Sequence, residues 1–151
     1  MAEHVKSLGI DHVFGVVGGG SMYLNDAFRD IFIPCHHEQA AAFQADAYAR
    51  IRGLGCALVT TGPGGTNANT GVEASWVDSI PVIFISGQVT ADTMIGETGV
   101  RQRGIQETDI CAIVRHITKW ASVAEAKSAM EEFARLATLA KTPRTGPVWF
   151  D

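Results

Sequence analysis

The chain has 151 residues and 46% of them are apolar, which is enough for one domain with a substantial hydrophobic core. Its formal net charge is -4, with acidic and basic residues spread along the chain, whereas nucleic-acid binding needs clustered Lys and Arg. No apolar run approaches the roughly 18 residues of a membrane span, and the polar residues 1–9 do not form a signal peptide. We therefore expect a protein that binds neither nucleic acid nor a membrane.

Short apolar runs alternate with helical patterns along the whole chain. In chain order, the predicted elements are a helix at 2–8, a strand at 12–17, a helix at 22–29, a strand at 31–35, a helix at 38–52, a strand at 56–60, a helix at 66–77, a strand at 82–86, a polar stretch at 90–104, a helix at 106–114, a strand at 118–122, a helix at 124–140 and a strand at 146–151. The alternation predicts an α/β fold, a doubly wound and mostly parallel sheet with helices on both faces.

The helix predicted at 38–52 has the clearest pattern. Its predicted apolar stripe comprises Ala41, Phe43, Ala47, Tyr48 and Ile51. Glu38 lies in the first turn, where the helix dipole favours a negative charge, and Gly53 ends the helix. The alanine-rich middle predicts a close approach to another backbone.

The three cysteines, Cys35, Cys56 and Cys111, lie far apart among apolar residues and lack the spacing of zinc ligands. An odd number of buried-looking thiols favours a reducing, cytoplasmic location. His36 and His37 are adjacent on an extended segment and point to opposite faces, which favours local hydrogen bonding over metal binding. No metal ligand is predicted.

Ligands of doubly wound sheets bind at the carboxyl ends of the strands. Three such ends carry conspicuous loops, and a fourth segment opens the helix predicted at 106–114. They are G-V-V-G-G-G-S at 15–21, H-E-Q-A-A at 37–41, T-T-G-P-G-G-T-N at 60–67 and G-I-Q-E-T-D at 104–109. Taken singly, each has an ordinary structural explanation, such as a tight turn for the glycines. Neither glycine loop fits GxGxxG, and no G-K-S or G-K-T occurs.

Taken together and in this order, the motifs G-x-x-G-G, H-E-Q-A-A-A, T-T-G-P-G-G-T-N and S-G-Q resemble the pyrimidine-binding domain of acetolactate synthase-like thiamine-diphosphate (ThDP) enzymes. D-S-I-P at 78–81 and T-K-W at 118–120 are also similar, and the resemblance covers about residues 8–150. It implies the fold of that domain and the activity of a ThDP-dependent lyase or transferase. The implied substrate is a small 2-keto acid, and the implied reaction is decarboxylation or carboligation.

The resemblance also implies roles for individual residues. Glu38 matches the family's catalytic glutamate, which hydrogen-bonds N1′ of the aminopyrimidine ring and so activates the cofactor. The implied cofactor-binding residues are Val17, Thr60, Gly62, Pro63, Asn67 and Gln106. Gln106 matches a glutamine that faces both cofactor and substrate. Residues 16–17 are Val-Val, whereas many family members have proline at the second of these two positions. The implied contact of Val17 with the cofactor is therefore the least supported.

The family binds the diphosphate and its Mg²⁺ through a Gly-Asp-Gly motif, which this sequence lacks. The resemblance therefore implies that a diphosphate-binding domain of a second subunit supplies the metal site, within a homo-oligomer. This domain alone is then expected to be inactive, and use of FAD is left open. The strand at 146–151 reads as cut short, so we expect residues 1–151 to be one domain of a longer chain.

Two other interpretations stay open from the residues alone. The glycine loops also suit a doubly wound nucleotide-binding module, and the fold also suits a non-catalytic regulatory module. Arg101 and Arg103 lie in the polar stretch and would suit a substrate carboxylate, although a solvated loop is the favoured interpretation.

Overall fold

The computed structural model describes residues 1–151, and its six strands form one sheet. The strands are β1 (Val13–Gly15), β2 (Phe32–Pro34), β3 (Gly55–Val59), β4 (Val82–Ser86), β5 (Trp120–Ser122) and β6 (Val148–Phe150). The helices are α1 (Ala2–Ser7), α2 (Met22–Phe28), α3 (Glu38–Arg52), α4 (Pro63–Val77), α5 (Ile110–Val114) and α6 (Ala129–Lys141). Every strand pair is parallel, which confirms the predicted fold class. No helix is long and apolar enough to cross a membrane.

The order of the strands in the sheet is β2-β1-β3-β4-β6-β5. The chain first winds outward from β1 to β2 and then returns past β1 to form β3. The winding direction therefore reverses between β1 and β3. In doubly wound sheets, the carboxyl ends of the strands at such a reversal form the crevice in which ligands bind.

Two hydrophobic cores cover the two faces of the sheet, and the central strands contribute to both by alternation. Cys56 and Leu58 of β3 face the core formed with α1, α2 and α6. Ala57 and Val59 face the core formed with α3, α4 and α5. A strand that is covered on both faces has a continuous apolar sequence, which is why these strands were predictable.

Three predicted helix boundaries are wrong. The helix predicted from 106 begins at Ile110, because Asp109 caps it by accepting a hydrogen bond from the backbone N–H of Ala112 at 2.9 Å. The helix predicted from 124 begins at Ala129, because the N–H of Ala124 donates instead to the backbone oxygen of Asp151 at 2.7 Å. The helix predicted from 66 begins one turn earlier, with proline at its first position.

The apolar stripe predicted for α3 is also wrong in part. Phe43 is 41% exposed and Ile51 is 83% exposed. Apart from Glu38 and Asp46, the buried face consists of small residues, namely Ala41, Ala42, Ala45 and Ala49. This face lies close to α4 and the sheet, where larger side chains do not fit. The predicted close approach of the alanine-rich segment to another backbone is confirmed.

The approach of α3 to α4 is set by one glycine. A Cβ atom at Gly71 would lie 2.3 Å from Cβ of Ala42, so only glycine permits this separation. One turn further along both helices, Ser75 Oγ donates to the buried Asp46 Oδ2 at 2.8 Å. Arg50 completes this contact by donating to Asp46 Oδ1 at 2.6 Å. The two helices therefore run side by side in one parallel register.

Substitution of Gly71 by alanine tests this close approach. Alanine favours a helix by about 1 kcal/mol over glycine, but overpacking costs about 1–3 kcal/mol. We expect Gly71→Ala to lower the free energy of unfolding by up to about 2 kcal/mol, measured by urea denaturation. Adding Ala42→Gly removes the colliding atom, so the double variant should lose less than the sum of the two single variants. Additive losses would contradict the contact.

Candidate functional site

The carboxyl ends of β1 and β3 are joined through glycines. A Cβ atom at Gly18 would lie 2.4 Å from Cβ of Thr60, and one at Gly20 would lie 2.8 Å from Cγ2 of Thr61. The loop after β1 therefore closes directly onto the loop after β3, at the reversal point of the sheet. Val17, just before this contact, is 63% exposed, and its role in binding stays a prediction.

Glu38 is the first residue of α3. The preceding residue, His37, caps the helix by accepting a hydrogen bond on Nδ1 from the N–H of Gln39 at 3.1 Å, as predicted for local hydrogen bonding. Glu38 thus lies where the helix dipole favours its negative charge. It is nevertheless nearly buried, with only 8% of its surface exposed.

The Glu38 carboxyl is held on one side only. Asn67 Nδ2 donates to Oε2 at 3.0 Å, while Oε1 has no hydrogen-bond partner within the chain. Gly64 lies beside Oε1, since a Cβ atom there would be 3.6 Å away. The enclosed side-chain atoms without a partner lie elsewhere, at Asn25 and Asn69, so Oε1 stays accessible to water or to a ligand. The site therefore suits a ligand that presents a nitrogen or a proton to Oε1.

The start of α4 brings a more distant segment to the same place. Gly62 caps the helix with a φ of 59°, and a Cβ atom on it would lie 1.9 Å from the backbone oxygen of Gln106. Gln106 therefore packs with its backbone on the Gly62 turn, while its side chain is exposed. Pro63 follows and is also exposed. Thr60, Gly62, Pro63, Asn67 and Gln106 thus lie with Glu38 around the start of α4.

A polar network at the carboxyl ends of the central strands was not predicted. Ser86 Oγ donates to Asp151 Oδ1, and Gln88 Nε2 donates to Asp151 Oδ2 at 2.6 Å. Trp149 Nε1 donates to Ser86 Oγ at 2.8 Å, and Thr61 Oγ1 donates to Gln88 Oε1 at 3.3 Å. The network joins the ends of β3, β4 and β6. Polar residues at the ends of buried apolar strands were the signal that could have revealed it.

Burial raises the pKa of Asp151 to about 6. The hydrogen bonds from Ser86 and Gln88 act in the opposite direction, and the negative charge of Asp109 adds to the increase. Asp151 is therefore held in surroundings that favour its protonated form.

Comparison with known proteins identifies the family of the chain. Residues 1–113 match the family described as "Thiamine pyrophosphate enzyme, N-terminal TPP binding domain". The chain belongs to this family. Thiamine pyrophosphate (TPP) is the ThDP implied by the motifs, so the recognition of a ThDP-binding, N-terminal domain is confirmed. The nearly buried carboxyl with one free oxygen fits the nitrogen heterocycle of this cofactor.

The chain is also similar to individual enzymes. It is 36% identical to the acetolactate synthase large subunit of Haemophilus influenzae, with 100% of this chain and 26% of that protein aligned. It is 41% identical to the protein of the same name from Buchnera aphidicola subsp. Schizaphis graminum, with 95% and 25% aligned. For the acetolactate synthase isozyme 3 large subunit of Escherichia coli, the identity is 37%, with 97% and 26% aligned. The chain spans about a quarter of the length of these curated relatives.

The Asp151 network leads to a pH-dependent prediction. Because the pKa is raised to about 6 from roughly 3.9 in an unfolded chain, the folded state binds this proton more tightly. The resulting stabilisation is complete below about pH 4 and is lost as the pH rises to about 6. Relative to Asp151→Asn, the wild-type free energy of unfolding should fall by about 2–3 kcal/mol between these values, measured by urea denaturation. Parallel pH curves for the two proteins would contradict this.

Proposed function

We propose that this chain is the pyrimidine-binding part of a TPP-dependent 2-keto acid decarboxylase or carboligase of the acetolactate synthase kind. In this proposal Glu38 activates the cofactor. The observation that carries it is the nearly buried Glu38 carboxyl, which Asn67 holds through Oε2 and which keeps Oε1 free. The acetolactate synthase large subunits that are 36% and 41% identical to the chain support the choice of reaction.

Bound TPP would supply the carbanion chemistry that acts on a 2-keto acid. Glu38 shares a proton with N1′ of the aminopyrimidine through its free oxygen Oε1. Asn67 prevents the carboxyl from rotating away by binding Oε2 at 3.0 Å. A carboxyl held in this way donates and recovers a proton at one fixed atom.

The surrounding residues bind and orient. Val17, Thr60, Gly62, Pro63 and Asn67 would hold the pyrimidine end of the cofactor at the carboxyl ends of β1 and β3, beside Glu38. The exposed side chain of Gln106, carried by a backbone that packs on Gly62, contacts the substrate.

We further propose that a second subunit completes the active site. The sequence has no Gly-Asp-Gly motif, and no group of three or more His, Cys, Asp or Glu side chains is arranged to hold a metal ion. The diphosphate and Mg²⁺ are then bound by a diphosphate-binding domain of a partner subunit in a homo-oligomer. Any FAD would bind largely outside residues 1–151.

The length of the relatives supports the same arrangement. Because this chain covers 26% of the Haemophilus influenzae protein, we propose that residues 1–151 form one domain of a longer cytoplasmic enzyme. This domain alone would be inactive, because the diphosphate-binding half of the site lies elsewhere.

Removing the proton of Glu38 tests the proposal. We expect Glu38→Gln in the complete enzyme to lower turnover of a 2-keto acid by roughly 10²–10⁴-fold, the usual effect of losing a positioned acid–base group. The rate of C2 proton exchange of bound TPP, followed by NMR in deuterated buffer, should fall in parallel.

The matched control is Glu73→Gln, which changes an exposed glutamate of α4 and should leave both rates unchanged. TPP binding to the Glu38→Gln enzyme is measured separately by calorimetry, so that loss of binding is not mistaken for loss of activation. Near-wild-type C2 exchange in a variant that still binds TPP would remove Glu38 from this role.

A further inference from the structure

The segment between the short 3-10 turn Ala91–Thr93 and α5 contains no helix or strand, yet one side chain closes it into a loop. Glu107 is 7% exposed, and its Oε1 accepts a hydrogen bond from the N–H of Ile95. Its Oε2 accepts from the N–H of Arg103 at 3.0 Å and from the N–H of Gly104 at 3.2 Å. Three backbone donors, from the two ends of the loop, therefore converge on one carboxyl.

Other contacts tie the same two ends together. Arg103 Nη1 donates to the backbone oxygen of Met94 at 3.0 Å, so this guanidinium forms a hydrogen bond within the loop. Gly104 packs against Val89, because a Cβ atom there would lie 2.5 Å from Cγ1 of the valine. Residues 96–102, between the tied ends, are all exposed. The loop thus has a fixed base and a solvated tip, and Arg101 belongs to the tip.

The residue next to Glu107 has a backbone conformation that needs support. Gln106 has a φ of 60°, which is unfavourable for residues other than glycine. Such a conformation persists only where the surrounding structure holds it. The Gly62 turn fixes Gln106 from one side, and the base of the loop fixes it from the other.

We propose that Glu107 is a positioning residue that fixes the base of this loop and thereby directs the side chain of Gln106 into the site. The proposal rests on the proposed function, which gives Gln106 its contact with the substrate. Glu107 itself contacts neither the substrate nor the cofactor.

The charge of Glu107 is suited to this task. Burial by itself would raise the pKa of Glu107, but the hydrogen bonds from Ile95, Arg103 and Gly104 outweigh it and lower the pKa. The side chain is therefore a carboxylate that accepts charge-assisted hydrogen bonds. A glutamine at this position would keep the shape, but its NH₂ group would face N–H donors. Glu107→Gln is therefore a nearly isosteric change that removes the charge and one of the two acceptor oxygens.

The experiment compares Glu107→Gln with Glu97→Gln in the complete TPP-loaded enzyme. Glu97 lies in the exposed tip and accepts no hydrogen bond, so its variant is the matched control. We expect Glu107→Gln to lower kcat/KM for the 2-keto acid about 10–100-fold, as for loss of charge-assisted hydrogen bonds. C2 proton exchange of bound TPP, which reports on Glu38, should stay within about twofold of wild type. The control should change neither quantity.

Two further measurements separate positioning from general damage. Hydrogen exchange at the amides of Ile95, Arg103 and Gly104 should accelerate in Glu107→Gln, while exchange in β3 and β4 stays unchanged. In a Gln106→Ala background, Glu107→Gln should cause little further loss of kcat/KM, because its effect passes through Gln106.

Each result that differs from these expectations contradicts a specific part of the proposal. Multiplicative losses in the double variant, wild-type kcat/KM in Glu107→Gln, or a parallel collapse of C2 exchange would each refute the positioning role. If the wild-type enzyme shows no C2 exchange, the proposed function fails and the role of Gln106 fails with it. Wild-type exchange combined with an unaffected Glu107→Gln enzyme refutes the positioning role alone.

Discussion

The close parallel packing of α3 on α4 is the constraint on which the candidate site depends. Because Gly71 presents no Cβ to Ala42, the two helices approach closely enough for side chains to meet at each turn. One turn before this contact, the same register places Asn67 against Glu38. A side chain at position 71 would push the helices apart and expose the carboxyl to water. The role proposed for Glu38 therefore depends on a glycine that does not itself contact the carboxyl.

The fold was predictable because its central strands are buried on both faces and so have continuous apolar sequences. The boundaries that were missed depend on contacts between distant parts of the chain. The N–H of Ala124 donates to the backbone oxygen of Asp151, and α6 begins later than predicted. Asp109 caps α5, so this helix also begins later than predicted. Phe43 and Ile51 are exposed because α4 lies too close to α3 for large side chains between the two helices. Amphipathic periodicity does not show how close a neighbouring helix lies.

The candidate site was predictable to the extent that strand ends and motif resemblance define it. Thr60, Gly62, Pro63 and Asn67 follow β3, and the carboxyl ends of parallel strands share one edge of the sheet. No sequence pattern reveals that three backbone N–H groups donate to Glu107, because every residue except proline carries an N–H. The contact between Gln106 and Gly62 depends on the path of an irregular loop, which sequence periodicity does not describe.

The strand order constrains how the chain folds. β6 is the last strand in the chain but lies between β4 and β5, and β5 pairs with no other strand. The β5 edge consequently cannot join the sheet during synthesis until residues 148–150 have left the ribosome. Such long-range pairing is slow, because the chain loses the entropy of loop closure before the stabilising contacts form. A truncation before residue 148 would therefore remove two strands from the sheet instead of one.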